Sequence, residues 1–399
     1  RNDLVKHQSS ACNCVYAYCS AGYTESTSDL VFSGHSMIAE NGTVLAENKE
    51  QITTDYMLVY DADLGRIRAD RRKNKSVRDA EALYGKIEPA RLVDCGAMPL
   101  RSDGTLYQLN KLPFVPMTKE EREERCLEIF NIQVTALQQR LATIRTNAVI
   151  GISGGLDSTL ALLVVVEAVR QLGRDASTVY GITLPCFGTS DRTYRNAWDL
   201  MKKLGITSKE ISIKNAVTQH FLDIGHDPEN RNTTYENGQA RERTQILMDY
   251  SSTVNGIVVG TGDLSELALG WCTYNGDHMS MYGVNASLPK TVIPKLITVL
   301  AEREQFAPGR EYLLDVVATP ISPELLPPSD DGKIDQKTEE ILGPYELHDF
   351  FLYNMLYKLK GRKLCFITDC LPAGGLPEGE YTLGGQKIIY RGIVCRLED

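Results

Sequence analysis

A short segment rich in glycine and serine, GISGGLDS at 151–158, follows a predicted strand and opens a predicted helix. Gly154 and Gly155 allow the backbone to turn tightly, so that its N–H groups can approach a ligand closely. Ser153 and Ser158 add hydroxyl donors, and the helix N-terminus contributes partial positive charge that favours an anion. The segment therefore predicts a phosphate-binding loop rather than a glycine-rich turn without a ligand.

One acidic residue, Asp157, lies inside this loop. A carboxylate beside phosphate groups is repulsive unless a divalent cation lies between them, and Mg²⁺ binds through one or two carboxylates together with phosphate oxygens. The loop has no lysine after its glycines, which excludes the GxxxxGK[ST] pattern. The residue types therefore favour a phosphate site that uses Mg²⁺.

The elements that must position this loop are short apolar strands alternating with helices. The predicted strands are AVIGIS (148–153), TVYGITL (178–184), KEISI (209–213) and GIVVG (256–260), and the predicted helices begin at about Ser158 or span 191–204, 214–223 and 239–254. This alternation is typical of an α/β fold with a doubly wound parallel sheet covered on both faces. Because such sheets bind ligands at the carboxyl ends of their strands, we expect the chemistry on the loops after residues 152, 184 and 260.

A long helix is predicted over 117–145, before this repeat. Thr118 can cap the helix, and acidic residues occupy its first turns. Apolar residues recur at spacings of three and four, as expected for one buried helix face. They are Phe130, Val134, Leu137, Leu141 and Ile144.

The first third of the chain predicts strands and then a connecting arm. Residues 30–68 alternate in the manner of strands, and the turn at 40–42 between two apolar runs predicts a hairpin. A further strand is predicted at 57–64. Residues 70–115 are charged and then punctuated by proline and glycine, which is typical of a linker.

Composition places the chain among ordinary globular proteins. Its 399 residues suggest two or three domains, and 42% apolar with 24% charged residues is usual for folded protein. The richest apolar run, 160–169, contains a glutamate and is too short for a membrane span. It predicts a buried helix instead, so no membrane partner is expected.

The net charge of −9 argues against a nucleic-acid partner. Ten cysteines without a zinc pattern or disulfide density predict reduced thiols and a cytoplasmic location.

Three segments resemble known families. SGGLDS resembles the signature of the PP-loop ATP pyrophosphatases, which cleave ATP between its α and β phosphates. YENGQARERTQILMD (235–249) and GTGDLSELALGWCTYNGDHMSMYGVNASLPKT (260–291) resemble the glutamine-dependent NAD synthetase family. That resemblance covers about residues 1–356 and implies conversion of deamido-NAD to NAD, with ATP as cosubstrate giving AMP and pyrophosphate. Related synthetases assemble as homo-oligomers, so the resemblance also implies a homo-oligomer.

The same resemblance implies a set of site residues. Asp157 and Glu266 would share Mg²⁺ and are the candidate catalytic residues. The implied ATP-binding residues are Gly151, Ile152, Ser153, Gly154, Gly155, Leu156, Asp157, Ser158, Thr183 and Thr261. The implied deamido-NAD-binding residues are Asn237, Gln239, Arg241, Glu266, Trp271, Cys272, Thr273, Tyr274 and Lys290.

Several of these residues carry an alternative interpretation from residue type alone. Glu266 could be an acidic residue that merely interacts with a helix dipole, and Trp271 could be ordinary core. Arg241 could be a surface charge, Lys290 a solvated loop lysine and Thr183 an ordinary strand residue. The segment 305–356 resembles a part of the family that covers the active site, with an ordinary exposed loop as the alternative.

The two ends of the chain resemble parts of other domains. Residues 1–85 resemble the later part of a nitrilase-like glutaminase domain, and 86–116 would be a linker to the synthetase domain at 117–356. In that family the Glu-Lys-Cys triad precedes the segment present here, so no glutaminase residue is assigned and no glutamine hydrolysis is expected from this chain. Residues 357–399 resemble N-acetylglucosamine-6-phosphate deacetylase, with Asp369 matching its catalytic carboxylate.

The sequence leaves two other functions open. The simplest interpretation of the two resemblances is a hybrid chain, which could bind nucleotide without turning it over. Another PP-loop amidating or thiolating ligase is the second alternative. The motifs at 237–274 disfavour most such ligases, and the absence of a basic surface or cysteine pair disfavours tRNA thiolation.

Overall fold

A computed structural model describes most of the chain, in two compact units. The described residues are 1–25, 32–48, 56–84, 93, 106, 109–187, 191–319, 339, 342–358, 379–383, 386–391 and 394–397. One unit comprises Arg1–Asn110 and Met355–Asp399, and the other comprises Lys111–Asn354. The predicted linker at 86–116 and the segment at 305–356 lie only partly within the described residues, and Asp369 lies outside them.

The first unit begins with a helix and a three-stranded antiparallel sheet. Its elements are α1 (Asn2–Ala11), β1 (Val15–Cys19), β2 (Ser36–Glu40), β3 (Thr43–Glu47), α2 (Leu64–Lys73) and α3 (Lys75–Tyr84), with sheet order β1-β2-β3. The predicted hairpin is confirmed, because β2 and β3 pair across a turn in which Asn41 and Gly42 both have positive φ, +47° and +90°. Two positive φ values match the strand twist of a tight hairpin.

The predicted strand at 57–64 is wrong. Residues 56–63 form no strand, and α2 begins at Leu64, inside the predicted strand. Asp63 caps this helix by accepting a hydrogen bond from the Arg66 N–H, and the sequence that follows is rich in good helix formers. Helices α2 and α3 also occupy the start of the region at 70–115 that the sequence predicted to be a connecting arm.

The second unit is an α/β structure around a five-stranded parallel sheet. Its helices are α4 (Lys119–Ile144), α5 (Leu156–Gln171), α6 (Asp191–Lys203), α7 (Lys214–Asp223), α8 (Thr233–Thr253), α9 (Leu264–Leu269), α10 (Ile293–Ala301), α11 (Arg310–Ala318) and α12 (Tyr345–Tyr353), with short 3₁₀ turns at Ala176–Thr178 and Glu304–Gly309. Its strands are β4 (Asn147–Gly151), β5 (Val179–Thr183), β6 (Thr207–Glu210), β7 (Gly256–Gly260) and β8 (Tyr282–Gly283). The order β6-β5-β4-β7-β8, with every pair parallel, confirms the predicted parallel sheet.

Helices cover both faces of this sheet. On β4, Ala148 and Ile150 belong to one apolar core with α4, α5 and α10, whereas Val149 belongs to a second core with α7 and α8. Adjacent strand residues point to opposite faces, so the two cores lie on either side of the sheet. The predicted buried helix at 160–169 is confirmed as the middle of α5.

The long helix α4 follows its predicted pattern with one exception. Thr118 caps it by accepting a hydrogen bond from the Glu121 N–H, as expected. The residues predicted to form its buried face are buried except Ile144, which is 43% exposed. Ile144 is the last residue of the helix, beside Arg145 with φ +52°, so the chain turns away there before the residue can pack.

Several element boundaries differ from the sequence expectations. Helix α5 begins at Leu156, two residues before Ser158, and β6 covers Thr207–Glu210 rather than 209–213. Helix α8 begins at Thr233 rather than 239, because Asn232 accepts hydrogen bonds from the N–H groups of Thr234 and Tyr235. Caps of this kind set where a helix starts, independently of its apolar pattern.

The described part of the tail forms an antiparallel sheet. A short π-helix, Asn354–Lys358, precedes it, and its strands are β9 (Gly379–Leu383), β10 (Gln386–Arg391) and β11 (Val394–Leu397). In this sheet β10 pairs antiparallel with both β9 and β11. No helix among the described residues is long and apolar enough to cross a bilayer.

The strand order places a topological switch point at the end of β4. The chain passes from β4 to β5 on one side, whereas β7 lies on the other side of β4. Ligands bind at such a switch point, outside the carboxyl ends of the strands. The loop at 151–158 connects β4 to α5 at this edge, and within it Gly154 has φ +92° and lies against the backbone of Thr193 on α6.

Replacing Gly154 with alanine is expected to lower the free energy of unfolding by about 3 kcal/mol or more. A Cβ there would lie 2.4 Å from the carbonyl oxygen of Thr193 as well as requiring a positive φ. Gly173→Ala is the matched control, because Gly173 has φ +68° with nothing within 4 Å, and it should cost only about 1 kcal/mol. Equal losses for the two variants in urea unfolding would contradict the close approach of loop and helix.

Candidate active site

The loop after β4 leads into helix α5, whose N-terminus has no side-chain cap. Gly155 is the N-cap residue of α5, and no side chain among the described residues accepts a hydrogen bond from the first turn in the capping manner. The Ser153 hydroxyl accepts from the Gly155 N–H at 3.2 Å, and the Ser158 hydroxyl lies 3.2 Å from that of Ser153. Ser153 is exposed and offers its hydroxyl toward solvent, as a phosphate site requires, whereas Ser158 is buried and its hydroxyl lies 3.2 Å from the Gly155 carbonyl, to which it donates.

Three carboxylates converge beside this loop. Asp157 lies in the first turn of α5, and Asp263 and Glu266 lie at the start of α9, directly after β7. One carboxylate oxygen from each lies within 4.8 Å of the others. The structure therefore brings together Asp157 and Glu266, the two residues that the sequence paired for Mg²⁺. We refer to Asp157, Asp263 and Glu266 as the carboxylate cluster.

Asp263 was missed by the sequence reasoning, although its signal is present. Its side chain accepts a hydrogen bond from the Glu266 N–H at 2.9 Å, and Glu266 accepts one from the Asp263 N–H at 3.4 Å. This reciprocal capping box belongs to the pattern Asp-Leu-Ser-Glu, an acidic cap followed three residues later by glutamate. The dipole role suggested as the alternative for Glu266 is thus present together with its place in the carboxylate cluster.

Lys290 occupies the centre of the carboxylate cluster. Its Nζ lies 2.6 Å from Asp157 Oδ2, 2.6 Å from Asp263 Oδ2 and 2.7 Å from Glu266 Oε1. The lysine side chain is only 2% exposed, and that of Asp263 is fully buried. The alternative that Lys290 is a solvated loop lysine is therefore wrong. Lys290 follows β8, so the carboxyl ends of β4, β7 and β8 each contribute to this site.

Burial and charge shift the titration of all four groups. Burial raises the pKa of Asp157 to about 6, and the Asp263 carboxylate adds to this rise while Lys290 opposes it. Burial also raises the pKa of Asp263 and that of Glu266. For Lys290 burial favours the neutral amine, but the three carboxylates outweigh it and raise its pKa well above the ordinary value. The lysine is thus held as an ammonium ion.

Helix α12 fixes the backbone on both sides of the Lys290 side chain. The Lys290 N–H donates to the Ser265 hydroxyl at 2.9 Å, and that hydroxyl donates to Asp349. Asp349 also accepts from the Thr291 N–H at 2.9 Å and from its hydroxyl at 2.6 Å. The ring of Tyr345 faces the ammonium, with its centroid 5.4 Å from Nζ. Part of the segment at 305–356 is therefore a helix that packs onto the site rather than an exposed loop.

A buried asparagine joins two of the loops. Asn285 Nδ2 donates to the Asp157 carbonyl at 2.9 Å and to the Thr261 carbonyl at 3.0 Å. Its own carbonyl accepts from Gln133 of α4 at 3.1 Å. Asn285 is fully buried, and no periodic pattern in the sequence marks it. It fixes the backbone that carries Asp157 relative to the loop after β7.

A second group of predicted residues meets where α8 faces the chain after α9. The Thr273 hydroxyl donates to Asn237 at 2.8 Å, and Arg241 donates to the Tyr274 carbonyl at 3.1 Å. Tyr274 is 83% exposed, and Trp271, Cys272 and Thr273 are partly buried. Trp271 is thus not a fully buried core residue. The Trp271 N–H donates to the Glu266 carbonyl at 2.9 Å, which connects this group to the carboxylate cluster.

Two predicted residues stand apart from both groups. Gln239 is fully buried in α8 and donates to the Tyr235 carbonyl of its own helix at 3.2 Å. Thr183 ends β5 at the same sheet edge, 3% exposed, and its hydroxyl has no hydrogen-bond partner among the described residues.

The donors of the carboxylate cluster fit a hard divalent cation. All three are carboxylate oxygens, the ligand type that Mg²⁺ prefers. Asp157 Oδ1 is buried without a hydrogen-bond partner within the described part of the chain, which leaves an acceptor available. The Lys290 ammonium shows that the position between the three oxygens already attracts positive charge.

Fold and site together define an α/β protein with a glycine-rich loop and a cluster of three carboxylates at the carboxyl edge of its parallel sheet. A family model described as NAD synthase matches residues 129–364, more than half of the chain. The chain belongs to the NAD synthase family.

Curated relatives agree with this family. The chain is 39% identical to a glutamine-dependent NAD(+) synthetase of Mycobacterium leprae, over 92% of this chain and 55% of the relative. It is 29% identical to that of Thermotoga maritima, over 88% of this chain and 56% of the relative. An NH(3)-dependent NAD(+) synthetase of Pelodictyon phaeoclathratiforme is 35% identical, over 53% of this chain and 68% of the relative. The chain spans about half the length of the glutamine-dependent relatives.

Replacing Asn285 with aspartate is expected to lower the free energy of unfolding by about 2–4 kcal/mol, as measured by urea denaturation. The change removes both amide hydrogens and turns a carboxylate oxygen toward the carbonyls of Asp157 and Thr261. Asn230→Asp is the matched control at an exposed position and should leave stability near wild type. If both variants unfold at the same urea concentration, Asn285 does not join the two loops.

Proposed function

We propose that this chain carries out the ATP-dependent amidation of deamido-NAD to NAD. The observation that carries the proposal is the convergence of Asp157 and Glu266 beside a helix N-terminus that lacks a side-chain cap. Membership of the NAD synthase family and the names of the curated relatives support the same reaction. The cosubstrate would be ATP, in the PP-loop manner, and ammonia would supply the nitrogen.

The reaction has two steps that the loop and cluster suit. The carboxylate of the nicotinate ring attacks the α-phosphorus of ATP, the bond between α and β phosphates breaks, and pyrophosphate leaves. Ammonia then attacks the acyl carbon, AMP leaves and a proton is released. No residue of the chain need act as a nucleophile, because positioning and charge neutralisation supply most of the acceleration.

The phosphate chain would lie along residues 151–158. The N–H groups opening α5 and the hydroxyls of Ser153 and Ser158 are the donors there. Gly154 packs against α6, so the loop holds its shape before ligand arrives. Thr261 follows β7 at the same edge and is tied to the loop through Asn285, and Thr183 offers a hydroxyl at the end of β5.

Asp157 and Glu266 are the residues that would hold Mg²⁺. When bound, the ion would offset phosphate charge and polarise a phosphoryl oxygen. The chain's own contribution is to fix both carboxylates on the first turns of two helices that start at one sheet edge. Asp263 then adds a third oxygen and caps the helix that carries Glu266.

Deamido-NAD would bind where α8 meets the segment after α9. Asn237, Thr273 and Tyr274 form a partly exposed surface there, with Trp271 and Cys272 alongside and Arg241 fixing the Tyr274 backbone. Gln239 would act indirectly, because its side chain donates to the Tyr235 carbonyl and so stabilises α8. Lys290 would contribute the positive charge of its ammonium toward deamido-NAD.

The N-terminal residues would belong to the domain that supplies ammonia. We infer that residues 1–85 correspond to part of a nitrilase-like glutaminase domain, that 86–116 are a linker, and that 117–356 are the synthetase domain. The names of the Mycobacterium and Thermotoga relatives support glutamine as the usual nitrogen source. The deacetylase-like origin of 357–399, the homo-oligomer and the cytoplasmic location remain predictions from the sequence.

An assay with ATP, Mg²⁺, deamido-NAD and ammonia tests the proposal directly. NAD, AMP and pyrophosphate are expected in equal amounts. Asp157→Asn and Glu266→Gln should each lower kcat/KM by about 100-fold or more, because each removes a charge that the transition state requires. Asp249→Asn, at an exposed position on α8, is the matched control and should retain wild-type activity.

Two outcomes would contradict the proposal. Pyrophosphate release that depends on an acceptor other than deamido-NAD would favour a different ATP pyrophosphatase. Full activity in Asp157→Asn and Glu266→Gln would show that the carboxylate cluster is not the site of the reaction.

A further inference from the structure

We propose that Lys290 is an internal substitute for the divalent cation, and that its ammonium must leave the carboxylate cluster before the ion can enter. This exchange of the ammonium for the metal ion depends on the proposed function in one respect, because it assumes that the entering ion is the Mg²⁺ of that reaction. It adds a state without metal in which the negative charge of the site is partly offset from within. Lys290 Nζ lies within 2.7 Å of one oxygen from each carboxylate.

The two cations exclude each other because they need the same oxygens. The ammonium donates to Asp157 and Glu266 at ordinary hydrogen-bond distances and lies 2.6 Å from Asp263. Mg²⁺ requires oxygens at about 2.0–2.1 Å. A doubly charged ion placed among the same oxygens would lie next to a positive charge in a site that water screens poorly, so the two cations would repel each other.

The carboxylate cluster needs a cation even when no metal is bound. Asp263 is fully buried, and Asp157 and Glu266 are each about three-quarters buried. Buried carboxylates that lie close together cannot all stay ionised without a compensating charge. Lys290 supplies that charge, which explains why a lysine is 98% buried at the edge of a ligand site.

The exchange needs a movement of the side chain alone. The backbone at Lys290 is held by the Ser265 hydroxyl, and the next residue is held twice by Asp349. A lysine stem has four flexible carbons, so the ammonium can move by several ångströms while these bonds stay in place. The face of Tyr345, 5.4 Å from Nζ, offers a neighbouring surface that attracts cations.

Direct measurement of Mn²⁺ binding, without nucleotide, tests the exchange. Titration calorimetry and the electron paramagnetic resonance signal of free Mn²⁺ would compare the wild-type chain with Lys290→Met. We expect the variant to bind Mn²⁺ about tenfold more tightly or more, because the competing ammonium is gone. Lys295→Met, an exposed lysine on α10, is the matched control and should bind as wild type does.

The outcomes separate this exchange from the proposed function. Equal or weaker binding by Lys290→Met, with wild type binding Mn²⁺, would overturn the exchange and leave the reaction standing. Failure of every variant to bind Mn²⁺, even with an ATP analogue present, would overturn both the exchange and the proposed metal site. If Lys290→Met is unfolded without metal, its recovery by Mn²⁺ in circular dichroism supports the exchange, and its failure to recover at concentrations that saturate wild type contradicts it.

Discussion

The site depends on one electrostatic constraint: three carboxylates brought close together need a cation between them. Asp157, Asp263 and Glu266 come from two loops that are far apart in the chain, and the Lys290 ammonium holds their oxygens together. Removing either the ammonium or a carboxylate from a buried ion cluster leaves uncompensated charge, which lowers the free energy of unfolding by several kcal/mol. The same negative charge that makes the lysine necessary makes the site suitable for Mg²⁺ beside a phosphate loop.

The rest of the second unit serves to hold that arrangement. A parallel sheet delivers the ends of β4, β7 and β8 to one edge, and helices cover both of its faces. Asn285 then ties the loop after β4 to the loop after β7, and Asp349 ties the Lys290 segment to α9 through Ser265. Positions held in this way need little rearrangement when a charged ligand arrives, which is the condition for electrostatic catalysis.

Features with strong local signals could be predicted from the sequence. The alternation of strands and helices predicted the parallel sheet, and GISGGLDS predicted a strand-loop-helix turn that the structure contains. Asp157 and Glu266 could be placed together only through the resemblance to the NAD synthetase family, and the structure brings their carboxylates close to each other. Asp263 was also within reach, since its capping pattern with Glu266 is local.

Features that depend on distant partners could not be predicted. Nothing near Lys290 in the sequence shows that its ammonium meets Asp157, 133 residues away. Asn285 is a single amide in an irregular segment, and its partner at Asp157 is 128 residues away. The error at 57–64 has a different cause, because apolar alternation predicted a strand where a cap at Asp63 starts a helix. Only the tertiary structure decides between such competing local signals.

The central claim is that one position between Asp157, Asp263 and Glu266 holds either the lysine ammonium or a divalent cation. The most direct test is the anomalous diffraction of a crystal grown with Mn²⁺ and an ATP analogue. The account predicts an anomalous peak coordinated by Asp157 and Glu266, with the Lys290 ammonium withdrawn from the carboxylates. An ammonium that remains among the three carboxylates, with the manganese peak bound elsewhere, would contradict it.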